Sequence, residues 1–237
     1  MNLILNQFET IEVKINLHCN LNCDLCSDHA SFFNKQSIYD VDEFKEDFFQ
    51  LSKFIKRIKV IKIIGGEPLI NPFLFEYLDF LFNQTMILFK QIYIISNGTN
   101  INQNLIDKLI KKNIFFSINN YKKSIEIQNL KNVRHIDEHL FYNFDCFIPN
   151  NIIDEENFFC FKYGTCATLY RGKLFPCHRS VTTPHVFNLD DFFFIKDYII
   201  LKNLTSWREL HHLFNVQKKL EACRWCNGFK CDPLSYE

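Results

Sequence analysis

The sequence predicts an α/β protein: a partial, open (β/α) barrel over residues 1–150, followed by a small cysteine-rich module over residues 151–237. Three observations predict it. Short apolar strand-like runs alternate with runs whose apolar residues recur every three or four positions, the signature of parallel strands joined by right-handed helical crossovers. A complete eight-unit barrel takes about 250 residues, so about 140 residues hold only four to six units and the barrel cannot close. From about residue 150 the pattern changes to short runs punctuated by Cys, Gly and Pro, as in a small metal-stapled module.

The elements follow in order. Ile11 to Leu17 reads as the first strand. Val41, Phe44, Phe48, Leu51, Ile55 and Ile58 form one apolar helix face, with Asp40 and Glu43 as a capping-box signature at its start. Lys59 to Ile64 is a second strand ended by Gly65-Gly66. Asn71-Pro72 opens a helix with Leu74, Tyr77, Leu78 and Leu81 on one face. Gln91 to Ile95 is a third strand, Leu105, Ile106, Leu109 and Ile110 mark the next helix, and Ile114 to Ile118 is a fourth strand. Val133 to Ile136 and Tyr142 to Ile148 are further candidate strands. The Phe158-Phe159 and Phe192 to Phe194 runs read as core.

Composition narrows the classes. Lys plus Arg equals Asp plus Glu at 27 each, without the basic surplus of a domain that grips nucleic acid. No apolar run approaches the roughly 20 residues of a membrane span. Met1 to Lys14 mixes Asn, Gln and Glu among its apolar residues, unlike a signal peptide, so a cytoplasmic chain is expected. Ten cysteines in reducing surroundings point to metal or redox chemistry. They fall into two groups, Cys19, Cys23 and Cys26, then Cys146, Cys160, Cys166, Cys177, Cys223, Cys226 and Cys231, which predicts two metal sites.

The chemistry-bearing motifs sit where a parallel barrel places its site, just after the C-terminal ends of strands. Three cysteines at the spacing of Cys19, Cys23 and Cys26 can hold three corners of a cubane cluster and leave one iron open. The alternative is a structural zinc closed by His18 or His29. Gly65-Gly66-Glu67-Pro68 follows the second strand: glycines admit close backbone approach, and a carboxylate suits an ammonium group. Ser96-Asn97-Gly98 follows the third, with a hydroxyl and an amide suited to ribose hydroxyls. His211-His212 reads as a solvated helix feature, and Arg134, Arg171 and Arg179 as surface cations.

Together, the Cys-x3-Cys-x2-Cys loop, the Gly-Gly-Glu-Pro-Leu run and the Ser-Asn-Gly run resemble the radical S-adenosylmethionine (SAM) superfamily. The resemblance implies a [4Fe-4S] cluster on Cys19, Cys23 and Cys26 whose open iron binds SAM. It places Gly65, Gly66, Glu67 and Pro68 at the methionine amino group and Ser96 and Asn97 at the ribose region, with Ser117 and Asn119 on the same surface. Leu25 stands before the third cysteine, where the family often has an aromatic residue near adenine. The later cysteines resemble a Twitch module, a shortened SPASM domain, which implies an auxiliary [4Fe-4S] cluster on Cys166, Cys177, Cys223 and Cys226. Zinc fits the same four thiolates. Cys160 and Cys231 are surplus.

Such a short core with a Twitch module is similar to the radical SAM dehydrogenase that oxidises 2-deoxy-scyllo-inosamine, and to radical SAM proteins encoded with surface-polysaccharide genes. The implied activity is oxidation of an alcohol carbon of a sugar or cyclitol, possibly nucleotide-linked, to a ketone, with the auxiliary cluster as electron acceptor. An external one-electron reductant of flavodoxin or ferredoxin type is implied, and neither nucleic acid nor membrane. Epimerisation with Cys146 as hydrogen donor, peptide maturation, and a non-catalytic zinc- or iron-binding module are the alternatives.

Overall fold

Alternation of apolar residues along the strands builds the sheet, and the helices cover the apolar side. The computed structural model describes residues 6–23, 26, 28–119, 135–137, 141–142, 167–216, 219–225 and 233–234. Its elements are β1 (Gln7–Lys14), α1 (Val41–Ser52), β2 (Arg57–Ile64), α2 (Leu74–Asn83), β3 (Leu88–Ser96), α3 (Gln103–Ile110), β4 (Ile114–Asn119), β5 (His135–Asp137), β6 (Phe141–Tyr142), β7 (Ala167–Tyr170), β8 (Lys173–Phe175), α4 (Arg179–Val186), β9 (Ile199–Ile200), α5 (Trp207–His211) and β10 (Pro233–Leu234). Eight strands form one mixed, open sheet in the order β5-β4-β3-β2-β1-β7-β8-β9. The strands from β5 through β1 to β7 are parallel, whereas β8 and β9 run antiparallel to their neighbours. This is the expected partial barrel.

Ile11 and Val13 of β1 with Ile15 just past its end, Ile61 and Ile63 of β2 and Ile92 and Ile94 of β3 join one core with Phe44, Phe48 and Leu51 of α1 and Tyr77, Leu78 and Leu81 of α2. Their period of two turns Glu12, Lys14 and Asn16 to the opposite face. There Glu12 pairs with Lys62 across the β1–β2 ladder at 3.7 Å.

Several boundaries move. The helix expected to run through Ile58 ends at Ser52, because Ile58 is already inside β2, paired with Phe8 and Phe89. Asp40 caps α1 as expected, its Oδ1 accepting from the amides of Asp42 and Glu43. Asn71 precedes α2 without being its cap residue: its Oδ1 accepts from Phe73 N while its Nδ2 donates to the Ile15 carbonyl, fastening the helix entry to the end of β1. The strand expected at Tyr142 to Ile148 does not join the main sheet in its described part. Phe141 and Tyr142 pair antiparallel with Leu234 and Pro233 in a separate ribbon. The Phe192 to Phe194 run is core at one position only. Asp191–Asp197 is a 3-10 helix, and its three-residue repeat buries Phe194 and Asp197 while leaving Phe192 73% and Phe193 67% exposed. Phe158-Phe159 lies outside the described residues.

The 150/151 boundary also falls outside the described residues, but the strands beyond it continue the same sheet. β7 lies against β1, with Ile11, Glu12 and Val13 opposite Ala167, Thr168 and Leu169. The β7–β8 turn, Arg171-Gly172, has both central residues at positive φ, 42° and 71°, as a tight two-residue hairpin requires. That turn is fastened to the barrel. Gly172 N donates to Asp47 Oδ2 at 2.6 Å, and the Tyr39 hydroxyl donates to the same carboxylate. The Tyr170 hydroxyl reaches the Ser37 carbonyl, and Arg171 donates to the carbonyls of Gln36 and Ile38. Asp47→Ala, which orphans a buried hydroxyl and the turn amide, is expected to cost about 1–3 kcal/mol, read as a lower urea midpoint with an unchanged slope.

Candidate active site

The site begins with two glycines for which there is no alternative. A Cβ on Gly65 would lie 2.3 Å from the Asn16 carbonyl oxygen, and one on Gly66 would lie 2.1 Å from that of His18. The backbones touch because the ladder between β1 and β2 continues past both strands: Gly66 N donates to Asn16 O and Glu67 N to His18 O, each at 3.0 Å. The Asn16 side chain, 1% exposed, donates to the carbonyls of His18 and Glu67. The glycines thus bring the segment that opens the Cys19 loop directly onto the Gly65–Glu67 segment.

Glu67 is fully buried. Its Oε1 accepts from Leu69 N (2.9 Å) and the Ser96 hydroxyl (2.8 Å), and its Oε2 from Asn97 N (2.7 Å). Burial pushes the carboxyl up, partly offset by these donors. The carboxylate therefore joins the end of β2 to the end of β3 and caps the 3-10 turn Pro68–Ile70, in which Pro68 is buried. Ser96 also accepts from Gly98 N, closing the Ser96–Gly98 turn.

Asn97 carries the connection to the cysteine loop. Its Nδ2 donates to Asn20 Oδ1 at 2.9 Å and approaches Cys19 Sγ at 3.5 Å, while its Oδ1 accepts from the Thr99 amide and hydroxyl. Asn20 Nδ2 donates to Thr99 Oγ1, completing the circuit. Cys19 Sγ further accepts from Leu21 N at 3.4 Å. Ser117 and Asn119 lie at the end of β4, opposite His135 and Asp137 of β5.

Cys19, Cys23 and Cys26 are half-buried and form no disulfide. Burial raises the Cys19 and Cys26 thiols above their usual range; the Glu67 carboxylate raises Cys19 further and the Asp28 carboxylate Cys26. Cys19 and Cys26 lie near enough for the charge of one to disfavour the other. Cys19 and Cys26, close to one another in partial burial beside amide donors, suit thiolate binding to a metal cluster, whose positive iron would relieve that repulsion. Among the described residues no three His, Cys, Asp or Glu side chains converge as on a single ion. Of the two histidines considered as zinc partners, His18 has its ring Nδ1 3.1 Å from the Phe33 carbonyl, and the buried His29 ring packs edge-on against Phe32 and Phe187.

The loop is anchored by a charge pair the sequence reading missed. Lys14, the wholly buried last residue of β1, pairs with Asp28, two residues past Cys26. Burial alone would raise the Asp28 carboxyl; Lys14, then His178 and Arg179, more than offset it and hold it low. Arg179 is correspondingly buried, not a surface cation. In the sequence the signal is Lys14 in phase with Glu12 and Asn16, on the face of β1 opposite the helix-covered core.

Of the second group, Cys177 and Cys223 are half-buried and form no disulfide. Cys166, Cys226, Cys146, Cys160, Cys231, Leu25 and Arg134 lie outside the described residues. His211 and His212 are exposed. No helix among the described residues is long and apolar enough to cross a membrane.

A family model described as "Radical SAM superfamily" matches residues 13–139, more than half of the chain, from the last two residues of β1 through β5. No curated protein matches the sequence. Among solved structures, the fold is similar to SeMet BtrN in an open conformation, with a TM-score of 0.55 and 17% identity over 92% of this chain and 83% of that one. It is also similar to BtrN in complex with AdoMet and 2-DOIA, with a TM-score of 0.52 and 21% identity over 72% of this chain and 73% of that one.

Gly66→Ala tests the close approach. The added methyl cannot avoid the His18 backbone, so SAM binding should fall by more than tenfold in equilibrium dialysis, and an alanine variant that binds like wild type would show that the segments need not touch.

Proposed function

The chain belongs to the radical SAM superfamily, and from that premise we propose that it oxidises an alcohol carbon of a sugar or cyclitol to a ketone. The observation that carries the reading is the convergence of Cys19, Glu67, Ser96 and Asn97 through hydrogen bonds and charge at the C-terminal ends of three adjacent parallel strands. When bound there, a [4Fe-4S] cluster with SAM supplies a 5′-deoxyadenosyl radical able to take a hydrogen atom from an unactivated carbon.

The residues of this chain divide the remaining work. Cys19, Cys23 and Cys26 hold the cluster. Asn97 and Leu21 donate toward Cys19 Sγ and stabilise its thiolate. Both Glu67 oxygens already accept hydrogen bonds that hold the segment in place, so backbone carbonyl oxygens of the Gly65–Glu67 segment would meet the ammonium group of SAM. Ser96 and Asn97 shape the ribose side, and Ser117 and Asn119 extend it. Oxidation of a carbinol then balances as one hydrogen atom from carbon to the 5′-deoxyadenosyl radical, one proton from the hydroxyl to a base, and one electron to an acceptor at the second cysteine group, Cys166, Cys177, Cys223 and Cys226. The small-molecule substrate class is supported by fold similarity to a protein whose structure holds AdoMet and 2-DOIA.

Anaerobically purified protein is expected to be brown with about eight iron atoms per chain if both groups hold four-iron clusters. With SAM and a reductant of flavodoxin type, deuterium at the carbinol of the substrate should appear in 5′-deoxyadenosine. A colourless, zinc-loaded protein would sink the enzyme reading. Replacing Cys19, Cys23 and Cys26 together by Ala should abolish SAM cleavage and leave the far-ultraviolet dichroism of the fold unchanged.

A further inference from the structure

Asp197 is the last residue of the 3-10 helix Asp191–Asp197, and it is fully buried. It takes no part in the site at the ends of β1 to β3. Its two carboxylate oxygens instead reach two segments distant in sequence. Oδ1 accepts from Glu221 N at 2.7 Å, and Oδ2 accepts from Ala222 N at 2.9 Å. Oδ2 also accepts from the Ser180 hydroxyl at 3.3 Å. Glu221 and Ala222 begin the short 3-10 helix Glu221–Trp225, whose third residue is Cys223. Ser180 stands at the start of α4, where its amide donates to the carbonyl of Cys177 at 3.2 Å. One buried carboxylate therefore holds the Cys177 segment and the Cys223 segment together.

A buried carboxylate is costly, and burial pushes Asp197 up to about 6 despite its donors. An apolar residue would fill the space without that cost, but it would leave two buried amides and a hydroxyl without an acceptor. What the carboxylate accomplishes is to fix two chain segments more than forty residues apart in one arrangement. A second contact limits the same segment: Trp225 stacks on Phe187, just past α4, at 4.4 Å between ring centres.

We propose that Asp197 is the positioning residue of the second cysteine site, holding the Cys177 and Cys223 segments against each other so that their thiolates can share one metal group. The inference rests on the reading that these cysteines bind metal, and it holds for an iron-sulfur cluster or for zinc. Residues that orient metal ligands from behind commonly govern affinity by about 10–100-fold, and here the effect is gained by ordering two segments before the metal arrives.

Asp197→Asn is nearly isosteric and keeps one acceptor for the two amides. In anaerobically reconstituted full-length protein, metal bound beyond the first cluster should fall from about four irons, or about one zinc, per chain to less than about a quarter of that. In the reduced, SAM-loaded sample the electron paramagnetic resonance signal not perturbed by SAM should disappear, while the SAM-perturbed signal and SAM cleavage persist. Ser180→Ala, which removes a single hydroxyl, should weaken second-site metal retention against a chelator by about five- to tenfold. It also serves if the Asp197 variant is insoluble. Variants that keep the second metal and its signal would overturn the role of Asp197. Wild-type protein with metal only on Cys19, Cys23 and Cys26 would instead overturn the underlying reading of a second site, and the inference with it.

Discussion

The close approach of two backbones beyond the ends of β1 and β2 governs the arrangement of the site. Gly66 N and Glu67 N continue the ladder onto the carbonyls of Asn16 and His18, at a point where neither Gly65 nor Gly66 has room for a side chain. From this contact the Cys19 loop gains its origin, Glu67 its inward direction and Ser96-Asn97 its partner. The glycines are explained by protein against protein. Their value to a ligand is indirect, since the exposed edges of the segment are presented in one geometry. The same logic makes Glu67 a framework residue: three donors surround its carboxylate before any ligand arrives.

Buried ionisable groups recur wherever irregular chain must be held. Lys14 fastens the cysteine loop through Asp28, Glu67 fastens the ends of β2 and β3, Asp47 fastens the β7–β8 turn and Asp197 fastens the two later segments. A buried charge or charge pair is weak evidence for stability, because desolvation consumes much of its Coulomb gain. Its distinguishing property is direction. An apolar contact tolerates sliding, whereas a carboxylate bonded to two named amides does not. Loops without a ladder obtain from these groups the register that strands obtain from their backbones.

The regular part of the fold was legible in the sequence, and the reason is periodicity. The buried faces of α1 and α2 are the ones the spacing names, and β2, β3 and β4 contain the predicted runs. Errors appeared where a pattern passed from one element to the next. Ile58 keeps helical phase with Leu51 and yet belongs to β2, since strand and helix burial coincide there for one residue. The Phe192 to Phe194 run misled because a 3-10 helix buries one residue in three, and hydrophobicity without a period does not reveal which one. At the site, Cys19, Gly65, Gly66, Glu67, Ser96 and Asn97 were legible from motif order. Lys14, Asp28 and Asp197 were not, because a charge acquires a structural role only from partners that the fold brings from far away.

The longest-range feature is the join between the two cysteine groups, and it follows from one strand pairing. β1 leads into Cys19 on one side of the sheet order and receives β7 on the other, so the hairpin ahead of Cys177 is registered on the strand that launches the first cysteine loop. Side chains then reinforce what the ladder begins. His178 and Arg179, immediately after Cys177, help hold the Asp28 carboxyl in its charged form two residues past Cys26. The His29 ring meets Phe187 at 6.2 Å, and Phe187 stacks on Trp225 beside Cys223. A ladder, a charge cluster and an aromatic stack therefore all lie between the two cysteine-bearing segments. The sheet extension thus registers the chain ahead of Cys177 on the strand that leads to Cys19, while the ligands of each group are held by contacts of their own.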